Sequence, residues 1–289
     1  MRIALTGSSG ILGEGLIARS ERAGHKITPV SREQLQADPK ALRSYLGSAE
    51  VVIHAAANTN VEACEIDPSA CYRDNLLLTE RLAEVCLLAG QKLVFISSTG
   101  VYGPQKEGPY AEYEAADPPT HHHRSKYLAE SAVLAFSRRN LVLRTGWLFG
   151  GDPQKPKNFV ARRLEEANEA LKVGRRELAA NPLQRGNPTF TEDLADRLFE
   201  ALARGESGVF NAVNSGRASR LEYVQAILEA AGVPLRVVPA QDDTKFKRVA
   251  RVSPNECALN WRFEALGYGQ MPEWRHSLNG YIASLGALR

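Results

Sequence analysis

The chain has 289 residues, enough for one domain with a smaller lobe, and 44% hydrophobic with 24% charged residues is typical of a globular protein. A formal net charge of +3, without a long block of Lys or Arg, argues against nucleic acid as a partner and is compatible with a small anionic ligand. No run of roughly 18 apolar residues predicts a membrane span, and the N-terminus enters a strand at once, so we expect a cytoplasmic protein without a signal peptide.

The cysteines show neither CxxC nor metal-ligand spacing, which favours a reduced compartment in which they are buried as small apolar residues. They are Cys64, Cys71, Cys86 and Cys257. Three successive histidines, residues 121–123, point about 100° apart on a helix and cannot bind one ion together. Because no His-x-x-x-His occurs either, we expect no metal site.

The first half of the chain alternates short apolar runs with helical patterns. The strand-like runs are RIALTG, HKITPV, VVIHAAA, KLVFISS and LVLRTGWLFG. The helical patterns between them are ILGEGLIARSERAG, PKALRSYL, NLLLTERLAEVCLLAG and residues 121–136. Apolar strands that alternate with helices indicate a parallel sheet covered on both faces. The fold class is therefore α/β, a Rossmann-type doubly wound parallel sheet.

The pattern loosens after about residue 150. The helices predicted there are FVARRLEEANEALKVG, TEDLADRLFEALARG and SRLEYVQAILEAAG, and GVFNAVN reads as a late strand. We predict a nucleotide-binding Rossmann domain over residues 1–150 and a smaller α/β substrate lobe over 151–289, interleaved with the last strands of the sheet.

The stretch TGSSGILG lies between the first strand and the first helix and fits G-x-x-G-x-x-G. Glycines there let the backbone approach a pyrophosphate, which the helix N-terminus attracts. The alternative is an ordinary glycine turn. We expect the loop to bind the cofactor through Gly7, Gly10, Ile11, Leu12 and Gly13.

The end of the second strand, VSRE, indicates which dinucleotide binds. An acidic residue there binds the ribose 2′-hydroxyl of NAD, whereas Ser31 and Arg32 suit the 2′-phosphate of NADP. NADP(H) is therefore favoured. NAD(H) remains possible, with Glu33 as the ribose contact.

Several further motifs follow in a fixed order along the chain: VVIHAAANTNVEACEIDPSACYRDN, VFISSTGVYG, RTGWLFG, QRGNPTFTEDLA and RVSPNECALN. With TGSSGILG, these motifs make the chain resemble the extended short-chain dehydrogenase/reductases and, among them, the dTDP-4-dehydrorhamnose reductase family. The resemblance covers most of the chain. It implies an oxidoreductase that reduces a nucleotide-linked 4-keto sugar with NADPH or NADH.

The resemblance also implies roles for individual residues. Ala55, Ala56 and Ala57 would contact the cofactor. Ser98 would hydrogen-bond the substrate carbonyl, and Lys126 would bind the nicotinamide ribose. The family's proton-donating tyrosine lies four residues before this lysine, where the chain has His122.

Three interpretations of His122 are open. Tyrosine, with a pKa near 10, is protonated at neutral pH, whereas histidine starts near 6.5 and a neighbouring lysine lowers its pKa further. In the first, His122 is an imidazolium acid, helped by an acidic substrate such as a nucleotide diphosphate. In the second, it only polarises the carbonyl or orients the substrate while water, His121 or His123 delivers the proton. In the third, the site does not catalyse reduction at all. In the third case the protein is a cofactor-binding regulatory or scaffold protein. For His121 and His123 alone, a solvated helix start is favoured.

Candidate substrate contacts lie near these motifs. Tyr102 lines the pocket or packs beneath it, and Trp147 stacks on a sugar or base or belongs to the core. Arg185 and Arg248 are candidates for a substrate pyrophosphate, because arginine binds phosphate with a forked donor set. Tyr110, Tyr113 and Tyr127 are candidates to replace the missing phenol, although Tyr127, adjacent to Lys126, should face elsewhere and is expected in the core. The expected partner is a small molecule, a nucleotide sugar, and a homodimer is possible.

Overall fold

The computed structural model describes residues 1–240 and 249–286. Its strands are β1 (Arg2–Thr6), β2 (Lys26–Val30), β3 (Val51–His54), β4 (Lys92–Ser98), β5 (Leu141–Thr145), β6 (Leu148–Phe149), β7 (Glu177–Ala180), β8 (Arg185–Gly186), β9 (Thr189–Phe190), β10 (Gly208–Asn211), β11 (Ala218–Ser219) and β12 (Arg236–Pro239).

The α-helices are α1 (Ile11–Arg22), α2 (Arg32–Gln36), α3 (Pro39–Leu46), α4 (Val61–Ile66), α5 (Pro68–Tyr72), α6 (Leu78–Leu88), α7 (His121–Phe136), α8 (Phe159–Lys172), α9 (Thr191–Ala203), α10 (Arg220–Ala230), α11 (Trp261–Ala265) and α12 (Trp274–Gly286). A π-helical turn, Arg73–Leu77, joins α5 to α6, and a 3-10 turn, Thr99–Val101, follows β4. No helix in the described part of the chain is both long and apolar enough to cross a membrane.

Six parallel strands form the central sheet in the order β10-β5-β4-β3-β1-β2. The strand order reverses between the neighbours β1 and β3, because the chain adds β2 on one side of β1 and β3, β4, β5 and β10 on the other. At the ends of β1 and β3, Thr6 pairs with His54. In open α/β sheets, ligands bind at the carboxyl ends of the strands beside such a switch point. The predicted doubly wound fold is confirmed, and its topology places the ligand crevice at the ends of β1 and β3.

Alternate residues of the central strands face two separate apolar layers. Ile3 and Leu5 of β1 pack with Leu12 and Leu16 of α1 and with residues of α9. Ala4, between them, faces the opposite layer, which includes residues of α3, α6 and α7. The period of two along each strand thus explains why nearly every residue of these strands is apolar.

The second half of the chain contributes to both cores. Strand β10 forms the edge of the central sheet, and α9 packs against α1. Helices α8, α10 and α12 form a separate apolar core with the parallel pair β7 and β12. The boundary at residue 150 remains a prediction. All four cysteines are free and buried, as expected.

Candidate functional site

The glycine-rich loop brings the start of α1 close to the end of β3. A Cβ atom on Gly7 would lie 2.6 Å from the Ala56 nitrogen, and one on Gly13 would lie 2.3 Å from the Gly7 carbonyl oxygen. Gly7 also has φ of +74°, which favours glycine. Gly10 precedes α1 without a side-chain cap, so the N–H groups of residues 11–13 can bind an anion.

The loop after β6 packs over this turn. Glu14, in the first turn of α1, accepts a hydrogen bond from the Asp152 N–H (2.9 Å) and forms an ion pair with Lys155 Nζ (3.0 Å). Farther along the loop, Lys157 Nζ donates to the Thr59 hydroxyl over 2.6 Å. Lys155 therefore lies beside the start of α1 and Lys157 beside the segment after β3, and sequence reasoning did not select either of them.

The predicted 2′-phosphate contacts lie at the start of α2 and are exposed. Ser31 caps this helix: its Oγ accepts the Gln34 N–H (3.2 Å) and donates to Glu33 Oε2 (2.8 Å). Arg32 Nη2 lies 3.2 Å from Asp74 Oδ2. Both side chains therefore have local partners that a bound phosphate would have to share or replace.

The alanines after β3 lie at the carboxyl end of that strand, where the topology predicts the ligand crevice. The Ala55 N–H donates to the Thr6 carbonyl (3.2 Å), and the Ala56 N–H donates to Thr6 Oγ1 (3.3 Å). These bonds hold the segment in line with the end of β1. Ala55, Ala56 and Ala57 are each half-buried, and their methyl side chains are small enough for a ligand to approach the backbone.

Ser98 is the last residue of β4 and is half-buried. Its Oγ accepts the Gly100 N–H over 3.1 Å and has no other hydrogen-bond partner among the described residues. The hydroxyl hydrogen therefore remains available to a carbonyl oxygen of a ligand, which is the role that the family resemblance implies for this serine.

Lys126 lies on the face of α7 that packs against β4. Its side chain is buried, with Nζ 4.2 Å from the centroid of the Phe95 ring, and within residues 1–240 and 249–286 this nitrogen has no hydrogen-bond partner. Burial lowers the pKa of Lys126 to about 7, although the negative charge of Glu130 opposes the shift. An unpaired, buried ammonium suits a ribose with its hydroxyl acceptors.

His122 lies one helical turn before Lys126 and is also buried. Its Nδ1 is 3.0 Å from the Asn58 carbonyl oxygen, and the other ring nitrogen has no hydrogen-bond partner among the described residues. Burial, with the positive charges of His123 and Lys126, lowers the pKa of His122 to about 3. The ring is therefore neutral at physiological pH.

Two asparagines that sequence reasoning did not select lie against His122. Asn75, in the π-helical turn, accepts the Asn58 N–H at its Oδ1 (2.7 Å) and donates from its Nδ2 to the Asn58 carbonyl (3.1 Å). Asn75 Nδ2 also lies 3.1 Å from Ser125 Oγ. Both residues fall inside the motif VVIHAAANTNVEACEIDPSACYRDN, but their polar contacts are too distant in sequence for a local pattern to show.

The other two histidines differ from each other. The expected solvated helix start is wrong for His123, which is buried, with Nδ1 3.0 Å from Thr120 Oγ1 and Nε2 4.0 Å from Glu256 Oε1. His121 is half-buried, and its backbone N–H donates to Glu65 (2.6 Å). Across the described ranges, no group of three or more His, Cys, Asp or Glu side chains is placed to hold a metal ion.

Trp147 is half-buried between the site and the second core. Its Nε1–H donates to Glu256 Oε2 (2.7 Å), and the Arg220 guanidinium covers one face of the indole, 3.5 Å from the ring centroid. The backbone φ of +40° is in the left-handed region, which is strained for a tryptophan. Such strain often occurs at functional sites, and here the buried Glu256 holds the side chain in place.

Tyr102 packs beneath the site. It is fully buried, its OH donates to Asn211 Oδ1 (2.8 Å), and its ring stacks on Tyr110 with a centroid distance of 4.7 Å. The structure therefore places Tyr102 in the core, and we no longer propose it as a substrate contact. Tyr110 is equally buried, and Tyr113 is 72% exposed against Trp261.

The remaining predicted site residues are Tyr127, Arg185 and Arg248. Tyr127, adjacent to Lys126, packs against the core cluster that contains Tyr102. Arg185 is exposed on β8, where its backbone pairs with residue 255 in the segment that contains Glu256. Arg248 lies outside the described residues. Its part in substrate binding therefore stays a prediction.

The chain is similar to known proteins over nearly its whole length. The family model described as the RmlD substrate binding domain matches residues 1–286. The chain belongs to this family. It is 31% identical over 291 residues to a dTDP-4-dehydrorhamnose reductase from Mycolicibacterium smegmatis, covering 98% of this chain and 86% of that protein. A Streptomyces griseus protein of the same name is 32% identical over 98% of this chain and 94% of its own length.

Solved structures of the family have the same fold. A dTDP-4-dehydrorhamnose reductase from Clostridium acetobutylicum superposes with a TM-score of 0.90 at 25% identity, covering 99% of this chain and 100% of that one. The enzyme from Bacillus anthracis, solved in complex with NADP, gives a TM-score of 0.90 at 24% identity, covering 98% and 99% of the two chains. The predicted family, and the oxidoreductase class that the family implies, are confirmed.

Proposed function

We propose that this protein is an NADP-dependent reductase of the 4-keto group of a nucleotide-linked sugar, as its relatives named dTDP-4-dehydrorhamnose reductase are. One observation carries the proposal. The partnerless, buried ammonium of Lys126 packs against β4, whose last residue, Ser98, has a free hydroxyl hydrogen. Both lie on the carboxyl side of the sheet, where a ligand crevice is expected.

The chain has groups suited to each part of NADP. The N–H groups of residues 11–13 would bind the pyrophosphate, and glycine at positions 7 and 13 lets the loop pack tightly enough to present them. Arg32 and Ser31 would bind the 2′-phosphate, and Lys126 would bind the nicotinamide ribose. The same fold holds NADP in the Bacillus anthracis enzyme. NAD remains the alternative, with Glu33 as the contact.

When bound, NADPH supplies a hydride, and the carbonyl oxygen then needs a proton. Ser98 would donate a hydrogen bond to that oxygen as negative charge develops. The positive charge of Lys126 would stabilise the same charge. Because burial sets the pKa of Lys126 at about 7, we propose this ammonium as the source of the proton, in place of the absent tyrosine. A neutral His122 would not act as the acid.

The substrate would bind on the side of the site nearest the second half of the chain. We propose that Trp147, held by Glu256, contacts the sugar or base, and that Arg185 and Arg248 bind the diphosphate. Arg185 is exposed, so its guanidinium is accessible to such a ligand.

The test is NADPH oxidation by the purified protein with dTDP-4-dehydrorhamnose from pH 5.5 to 8.5. We expect turnover that falls as pH rises through about 7, where Lys126 loses its proton. His122→Phe should retain this profile. A wild-type pH profile that falls well below pH 7, and that disappears in His122→Phe while NADPH and product binding stay intact, would instead make His122 the proton donor.

One observation favours a second candidate, a cofactor-binding regulatory or scaffold protein with a disabled reductase site. His122 offers no proton at the position where the family resemblance implies a phenol. Under this alternative the protein binds NADPH tightly but turns over no substrate, and His122→Tyr is also inactive. Activity that appears or rises in His122→Tyr would show that the rest of the site is competent.

We also retain a homodimer and a cytoplasmic location as proposals. Helices α6 and α7 contact each other and, with the turn before α6, expose four leucines that a second copy would bury. They are Leu77 (55% exposed), Leu87 (48%), Leu88 (65%) and Leu128 (42%). Light scattering after size-exclusion chromatography would give the mass in solution, and replacing Leu88 and Leu128 with Ser should shift a dimer to monomer.

A further inference from the structure

The carbonyl group of Asn58 determines which nitrogen of His122 holds the proton. This oxygen lies 3.0 Å from Nδ1, and a carbonyl can only accept a hydrogen bond. Nδ1 must therefore be protonated. In a neutral ring the second nitrogen, Nε2, is then an acceptor without a hydrogen.

Asn75 fixes the position of this carbonyl. Its amide holds the Asn58 peptide at two points, N–H to Oδ1 (2.7 Å) and Nδ2 to the carbonyl oxygen (3.1 Å). The second hydrogen of Nδ2 is directed to Ser125 Oγ (3.1 Å), which in turn donates to the His122 carbonyl (2.7 Å). Both amide hydrogens are thus engaged. Asn75 Nδ2 lies 3.5 Å from Nδ1 of His122 but has no hydrogen left to donate to it, so Nδ1 is not required to be an acceptor.

The charges around His122 also favour a neutral ring with a single proton. Lys126, His123 and Lys157 each disfavour the imidazolium, from α7 itself and from the loop after β6. The carboxylates Glu65 and Glu256 act on His123. Directly beside Nδ1 lies a neutral amide, Asn75, where a carboxylate would have stabilised a second proton.

We propose that Asn75 is a positioning residue that locks His122 in the Nδ1–H form, so that Nε2 accepts a hydrogen bond from a hydroxyl group of the bound sugar. The π-helical turn Arg73–Leu77 places the asparagine there, and such turns are frequent at functional sites. The first half of the proposal concerns the free protein alone. The second half rests on the proposed function, and it makes His122 a substrate-binding residue that recognises a sugar hydroxyl.

The test measures the proton positions directly. The protein is labelled with ¹⁵N-histidine, and two-bond proton–nitrogen correlations are recorded from pH 5.5 to 8.5, with His122→Gln to assign the signals. We expect one protonated nitrogen, Nδ1, and one unprotonated nitrogen across the whole range. A proton on Nε2, or on both nitrogens, would overturn the proposal whether or not the protein turns over a sugar.

Asn75→Asp tests the lock itself. The carboxylate keeps the acceptor for the Asn58 N–H but replaces the amide donor with a negative charge near Nδ1. A close carboxylate raises a histidine pKa by about 1–3. The pKa of His122 should therefore rise from about 3 to about 4–6, and a titration extended to pH 4 should show a second ring proton in the variant where the wild type has one.

Asn140→Asp is the matched control. Asn140 is a buried asparagine whose Oδ1 likewise accepts a backbone N–H, from Leu93, while its Nδ2 donates to the Val133 carbonyl. It should leave the His122 signals unchanged. If Asn75→Asp does not fold, Asn75→Ala replaces it, with a mixture of the two neutral tautomers expected. A folded Asn75 variant with the wild-type pattern would refute the role of Asn75.

The hydroxyl contact is tested with dTDP-rhamnose, the alcohol product expected of the proposed reaction. Binding should perturb Nε2 of His122 and leave Nδ1 protonated. Binding without any change at Nε2 would refute the contact. If the product does not bind at all, the proposed function and the contact that rests on it both fail, while the tautomer result stands.

Discussion

Replacing Lys126 with Met should stabilise the protein while it removes cofactor binding. Burial lowers the pKa of this lysine from 10.5 to about 7. At about 1.4 kcal/mol for each pH unit, holding the charged form in the fold costs up to about 5 kcal/mol. Lys126→Met removes this cost, so we expect a gain in the free energy of unfolding of about 2–4 kcal/mol at pH 6, since relaxation around the buried charge reduces the full value.

The pH dependence gives the prediction its sign. Between pH 7 and 10.5 the unfolded chain holds the Lys126 proton and the folded chain does not. The contribution of this group therefore makes the wild-type free energy of unfolding rise with pH across that window. The advantage of Lys126→Met should be complete below pH 7 and should shrink steadily as pH rises towards 10.

The assay is urea unfolding followed by circular dichroism at pH 6, 8 and 10 without cofactor, beside NADPH titrations. Lys40→Met is the control, because Lys40 is an exposed lysine outside the site, and its stability should change by less than about 0.5 kcal/mol. A Lys126→Met protein that is less stable than wild type at pH 6, or whose stability difference is the same at every pH, would refute the reasoning.

The cofactor interpretation gives two further predictions. Arg32→Ala should weaken NADPH binding about 10- to 100-fold, because it removes a charge-assisted hydrogen bond to the 2′-phosphate. NADH binding should change by less than about threefold. Equal losses for both cofactors would show that Arg32, which is exposed beside Asp74, does not bind the 2′-phosphate. Gly13→Ala should abolish cofactor binding in equilibrium dialysis, because its Cβ would lie 2.3 Å from the Gly7 carbonyl oxygen, whereas Gly280→Ala, with open space around the added Cβ, should bind normally.

The sequence alone determined the architecture. Continuous apolar strands separated by helices indicated a sheet covered on both faces, and the glycine spacing placed the phosphate loop at the start of α1. The spacing of four between His122 and Lys126 put both on one face of α7. These features follow from neighbours along the chain, which is why local patterns were sufficient to predict them.

The tertiary structure alone decided what the site residues contact. His122 meets Asn58 from 64 positions away, and Asn75 meets His122 from 47. The same is true of Tyr102, which is removed from the crevice by its hydrogen bond to Asn211, and of Arg32, which pairs with Asp74. A side chain's protonation state depends on burial and on partners contributed by other elements, and those are fixed only when the helices pack onto the sheet.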